Sequence, residues 1–196
     1  MRRILLCIAL AGFNVNAQQS DPEWPCIQVL VPEINLAVLW PQSIDVSAID
    51  NWRNDPEIAR IVERLSDLEA FTETEQKIIA EFIEPVIGNE RSDILNRLAV
   101  GILQNANQLR AQYIRGIKRY TRQQISIASQ IENKLNQLSG LDGQNNAQTA
   151  EIEETLRWHQ RVYDQREQAI QALCERPVEA EEKLSQVLRE LAQYLP

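Results

Sequence analysis

Long apolar runs are missing from this chain, and so are most of the residues from which active sites are built. No stretch approaches the roughly 20 apolar residues that cross a bilayer; the longest, Ile4 to Phe13, is far shorter. Glycine occurs six times, too thinly for a barrel or sandwich made of many tight turns. Histidine occurs once, at His159, which excludes the paired Glu-x-x-His motifs of a di-metal carboxylate bundle. G-x-S-x-G, a Gly-rich phosphate loop, H-E-x-x-H and C-x-x-C-H are all absent. With no grouping of nucleophile, base and orienting residue, the expectation is a protein that is not an enzyme and holds neither metal nor cofactor.

The first residues read as a secretory leader. Arg2 and Arg3 precede the apolar run, and Val15-Asn16-Ala17 offers small residues for cleavage after Ala17. Cys7 lies inside the run without the small residues that a lipoprotein site requires. The expectation is a leader over 1–17 and a periplasmic or secreted protein with no transmembrane segment once it is removed. Of 20 basic and 28 acidic residues, only Arg2 and Arg3 fall in the leader, leaving 18 against 28, a balance of -10. That acidity argues against nucleic-acid binding, which requires a basic surface.

Two cysteines remain, Cys26 and Cys174, far apart in sequence. In an exported chain an even pair reads as one disulfide; a redox or metal pair would want close spacing such as C-x-x-C. The stretch from Asp21 to Pro41 carries Pro22, Pro25, Pro32 and Pro41. Each proline fixes its own φ and pushes the preceding residue, Trp24 and Trp40 among them, toward extended backbone. Residues 18–53 are therefore expected to form an extended strap, its Ile27, Val29, Leu30, Val31, Ile34, Leu36, Val38, Leu39 and both tryptophans laid against helices and Cys26 riveting it in place.

From residue 54 to 196 the chain reads as one helical domain. Asn54-Asp55-Pro56-Glu57 is a helix start, and Thr72 with Glu75 spells a capping box. From Ser92 to Leu138 apolar residues recur every three or four positions, Leu95, Leu98, Ile102, Ala106, Leu109 and Tyr113 and onward, which predicts a single helix roughly 70 Å long. Turn formers fill 139–148. Ile152, Leu156, His159, Tyr163, Arg166, Ile170 and Leu173 then step with a coiled-coil period back toward Pro177. Pro177 is expected to end that helix, and a last amphipathic helix to follow. The predicted fold is all-α: a helical bundle with a long antiparallel hairpin over 92–175.

Along the seam, His159 reads as a core-edge histidine, with a metal or haem ligand as the sharper option; Arg166 is expected to reach outward or pair with an acid. One feature stands out in so acidic a chain. Between Asp93 and Glu132 there is no acidic residue, and Arg115, Lys118, Arg119 and Arg122 fall on one helix face. Such a strip is either a solvated face, one neutralised by the acidic helices around 55–90, or a docking strip for another envelope protein or an anionic envelope surface. The apolar stripe outruns the expected returning helix, which leaves room for a homodimer. The functional expectation is an exported, non-enzymatic interaction protein: an adaptor, scaffold or chaperone-like hairpin. The alternative is a periplasmic ligand- or cofactor-binding bundle with Trp24, Trp40, Trp52, Trp158, Tyr113, Tyr120 and Tyr163 lining an apolar pocket.

Overall fold

The computed structural model of the chain describes residues 21–44, 52–67, 70–141 and 147–196. The expected leader over 1–17, residues 18–20 and 45–51 of the expected strap, and 142–146 of the expected turn lie outside the described residues. Five helices are present among the described residues, and no strand: α1 (Leu36–Leu39), α2 (Pro56–Ser66), α3 (Glu73–Ile83), α4 (Asn89–Ser139) and α5 (Ala147–Ala192), with a 3₁₀ turn at Trp52–Asn54. None of these helices is long and apolar enough to cross a membrane.

The short helices start where their side chains permit. Asp55 caps α2 by accepting from the backbone N–H of Glu57 and Ile58, with Pro56 in the first turn. Thr72 and Glu75 form the reciprocal box that opens α3. Gly88, at φ +67, turns the chain into α4, which begins at Asn89.

α4 and α5 form the long pair, 51 and 46 residues, so α4 is about 75 Å long. They run antiparallel: Arg110 meets Pro177, Tyr120 meets Arg166 and Gln124 meets Tyr163. The core lies at the open end of this pair, where Ile58, Val62 and Leu65 of α2 and Ile79 and Ile83 of α3 pack with Leu95, Leu98 and Ile102 of α4 and Leu184, Leu188 and Leu191 of α5. Trp40 and Trp52 complete it, each turning its indole N–H to an α4 amide: Trp40 to Asn96 at 2.8 Å and Trp52 to Gln104 at 3.0 Å. Gly101 allows the close approach of α2, because a Cβ there would lie 2.7 Å from Val62 Cγ2 and 3.0 Å from Trp52 Cδ2.

Two expectations are corrected here. Pro177 does not end the returning helix; it sits buried inside α5, which continues to Ala192. The expected final helix is the last third of α5. The stretch 21–44 is also not simply extended. It turns at Pro22-Glu23, bends at 27–28 and contains α1; Ile27, Val29, Val31 and Val38 face solvent, while Ile34, Leu36, Leu39 and Trp40 pack on the helical core as expected.

Candidate interaction site at the crossing of the N-terminal segment

The site is built around the turn of α5 that holds both Cys174 and Pro177. A proline inside a helix removes one N–H donor and drives its ring against the carbonyl one turn earlier, so the main chain there needs outside partners. Two side chains donate to carbonyls of this turn adjoining the Leu173 carbonyl, the acceptor that the missing Pro177 N–H would have served. Gln28 Nε2 donates to the Cys174 carbonyl at 2.6 Å. Arg110, 5% exposed, donates through Nη1 to the Pro177 carbonyl at 3.5 Å and to Glu181 Oε2 at 3.2 Å, and through Nε to the Val31 carbonyl at 2.7 Å. The Cys26 and Cys174 sulfurs are bonded at 1.99 Å, which ties the same turn to the N-terminal segment.

The segment then follows α4 in the opposite direction. Asn107 clamps the main chain of Ile34 at two points, accepting from its N–H at 2.9 Å and donating to its carbonyl at 3.0 Å. At the other end, Lys118 Nζ lies 2.6 Å from Asp21 Oδ2, and Arg122 Nη1 lies 2.6 Å from Glu23 Oε2. Hydrogen bonding from Lys118, then from the Glu23 backbone N–H, holds the Asp21 carboxyl below its ordinary range. Arg115 and Arg119 are exposed and have no hydrogen-bond or ion-pair partner among the described residues. The four strip residues thus fall into two pairs, and the acids beside one pair come from the N-terminal segment, not from the helices around 55–90. Asp21, Glu23, Gln28, Asn107 and Arg110 were not singled out in the sequence. Only the opposite signs of Asp21-Pro22-Glu23 and the strip hinted at the pairing.

On its other side the segment borders an open groove of about 680 Å³, where Ile27 and Val178 meet Glu167, Glu175, Glu179 and Glu182. The segment therefore lies between cationic and anionic surfaces.

Farther along the hairpin the seam turns polar. Arg166 pairs with no acid among the described residues. Its Cζ lies 3.8 Å from the Tyr120 ring centroid, and its nitrogens reach Gln124 Oε1 at 3.2 Å and Gln123 Oε1 and the Tyr120 carbonyl, both at 3.1 Å. Gln124 in turn donates to the Tyr163 carbonyl. His159 is half-buried, its ring edge-on to Trp158 at 5.1 Å. Among the described residues no group of three His, Cys, Asp or Glu side chains could hold a metal ion.

The seven aromatics do not gather around one pocket. Trp40 and Trp52 are in the core, Trp158 is 55% exposed, and Trp24 donates to the Gln28 carbonyl. Tyr120 lies under Arg166. Tyr113 lines a cavity of about 220 Å³ between α2, α4 and α5, whose other walls are mainly aliphatic and charged. Comparison with known families, with curated proteins and with solved structures returns no match for this chain.

Proposed function

We propose that this is an exported, non-enzymatic helical protein that works as an adaptor, scaffold or chaperone-like hairpin, holding another envelope protein or an anionic envelope surface along α4. One observation carries the reading: in a chain with a net charge of -8, Arg115 and Arg119 stand exposed, without a hydrogen-bond or ion-pair partner among the described residues, beside Lys118 and Arg122 on one helix face. Long cationic side chains left in that state attract an anionic surface over the distances at which charge steers encounters. The hairpin offers reach as well. Among the described residues no hydrogen bond or ion pair runs from residues 21–83 to α4 beyond Arg122, so roughly 25 Å of the helix pair extends past the segment.

Export is supported by the leader-like start and by the bonded cysteine pair, which persists in oxidising compartments. Residues 21–44 act in this reading as a strap that fixes the position of the strip relative to α5.

The test is capture of partners from the envelope fraction of the producing cell, with the natural chain and with Arg115→Gln/Arg119→Gln as baits. Neither arginine makes a hydrogen bond or ion pair to residues 21–44, so the circular dichroism spectrum of the variant should match that of the natural chain. Loss of the captured material is the expected result, and undiminished capture by the variant would end the docking reading.

A further inference from the structure

We propose that the strip binds an acidic segment of a partner polypeptide in the place now held by Asp21 and Glu23, so that residues 21–25 are a built-in occupant that the partner displaces. This rests on the strip being a docking surface; it adds what docks there and what restrains it.

The bound occupant shows the chemistry the strip accepts. Asp21-Pro22-Glu23-Trp24 is a turn: Trp24 N–H donates to the Asp21 carbonyl at 2.9 Å, and Glu23 N–H donates to Asp21 Oδ1 at 2.9 Å. With Pro22 fixing φ at the second position, the turn offers two carboxylates from one compact unit. They meet Lys118 and Arg122, which stand four residues apart and so about 6 Å apart along the helix. Each contact is made by one nitrogen and one oxygen; Arg122 is 54% exposed, which makes its pair the weaker, and the Lys118–Asp21 pair is partly buried.

Besides these two contacts, this end of the chain is held by the half-buried Trp24, whose indole N–H donates to the Gln28 carbonyl at 2.8 Å. Among the described residues, Asp21 and Glu23 provide the hydrogen bonds and ion pairs from residues 21–25 to the helices. The next anchor is the bond from Cys26 to Cys174, followed by Gln28, Val31 and Ile34. Residues 21–25 can therefore lift about the disulfide, giving up the Trp24 bond to the Gln28 carbonyl, while residues 26–44 and the core stay in place. A tethered occupant of this kind competes at an effective concentration in the millimolar range, so only a partner that offers more than two carboxylates gains by replacing it. Arg115 and Arg119 are the cations available for the additional acids.

The experiment uses the full chain and a fluorescein-labelled peptide of three Asp-Pro-Glu repeats, read by fluorescence anisotropy. Asp21→Asn/Glu23→Gln should bind the peptide about fivefold more tightly than the natural chain, the competition expected from two single-contact ion pairs. Adding Arg115→Gln, Lys118→Gln, Arg119→Gln and Arg122→Gln to that variant should abolish binding with the helical spectrum preserved. Equal affinity for the natural chain and Asp21→Asn/Glu23→Gln, both weakened by Arg115→Gln/Arg119→Gln, overturns the displacement and leaves the docking reading standing. Binding of phosphatidylglycerol vesicles without binding of the peptide overturns the choice of an acidic polypeptide in favour of a lipid surface. If neither probe binds any variant, the strip is a solvated face and the docking reading falls with the inference.

Discussion

Gln28 and Cys174 are 146 residues apart in sequence, yet the Gln28 side-chain amide donates to the Cys174 carbonyl at 2.6 Å, three residues before the proline that should have ended the helix. The contact accounts for two features together. It gives an outside donor to a helical turn weakened by Pro177, and it aligns the N-terminal segment so that Cys26 meets Cys174. Arg110, reaching from α4, supports the same turn at the Pro177 carbonyl.

Arg110 is therefore the side chain whose loss should cost most at the crossing. Arg110→Ala would leave the Val31 carbonyl, the Pro177 carbonyl and Glu181 without this partner, and we expect a loss of about 2–4 kcal/mol. Arg110→Lys should recover only part of it, since an ammonium lacks the planar fork that serves three acceptors. Urea unfolding of the three proteins checks this; a loss below about 0.5 kcal/mol for Arg110→Ala would show that the crossing does not depend on Arg110.

Two glycines inside α4 should respond in opposite directions to the same substitution. A Cβ at Gly116 meets nothing within 4 Å, so Gly116→Ala should stabilise by roughly 0.5–1 kcal/mol through helix propensity. At Gly101 the added Cβ would press on Val62 and Trp52, and Gly101→Ala should destabilise by about 1–3 kcal/mol. Thermal melting of both variants distinguishes the sites, and a stabilised Gly101→Ala would mean that α2 and the Trp52 turn are packed more loosely than described.

Acid should weaken the protein through two named carboxyls. Asp21 is held below its ordinary 3.8, chiefly by hydrogen bonding from Lys118, and Glu75 below its ordinary 4.5, chiefly by the Thr72 hydroxyl. A folded value below the unfolded one contributes stability that is present above the ordinary value and lost as pH falls through the folded value. Urea midpoints should hold steady from pH 7 to about 5 and decline below about 4.5. Glu75→Gln should flatten part of the decline. An unchanged slope in that variant would remove Glu75 from the explanation.

Much of the fold was legible because the hairpin obeys local rules. Leu95, Leu98, Ile102 and the positions that follow repeat at the helical period, and the Thr72–Glu75 box lies within four residues of sequence. Pro177 was misread for the opposite reason: the side chains that donate into its turn, Gln28 and Arg110, lie 149 and 67 residues away. The outward turn of Ile27, Val29 and Val31 was equally hidden, since Asn107 and Arg110 hold the main chain nearby and leave those side chains to solvent. The strip was visible as four cations at i, i+3, i+4 and i+7, but the acids beside Lys118 and Arg122 lie on a different element from the one the charge pattern suggested.

The most direct measurement of how the protein works is native mass spectrometry, without reductant, on the chain isolated at natural abundance from the envelope of its own cell. We expect a mature chain lacking residues 1–17, lighter by two hydrogens than its reduced form, and carrying another polypeptide that departs when Arg115 and Arg119 are replaced by Gln. A bare chain, or one carrying only a small molecule that is lost on unfolding, would contradict the interaction reading and return attention to the cavity beside Tyr113.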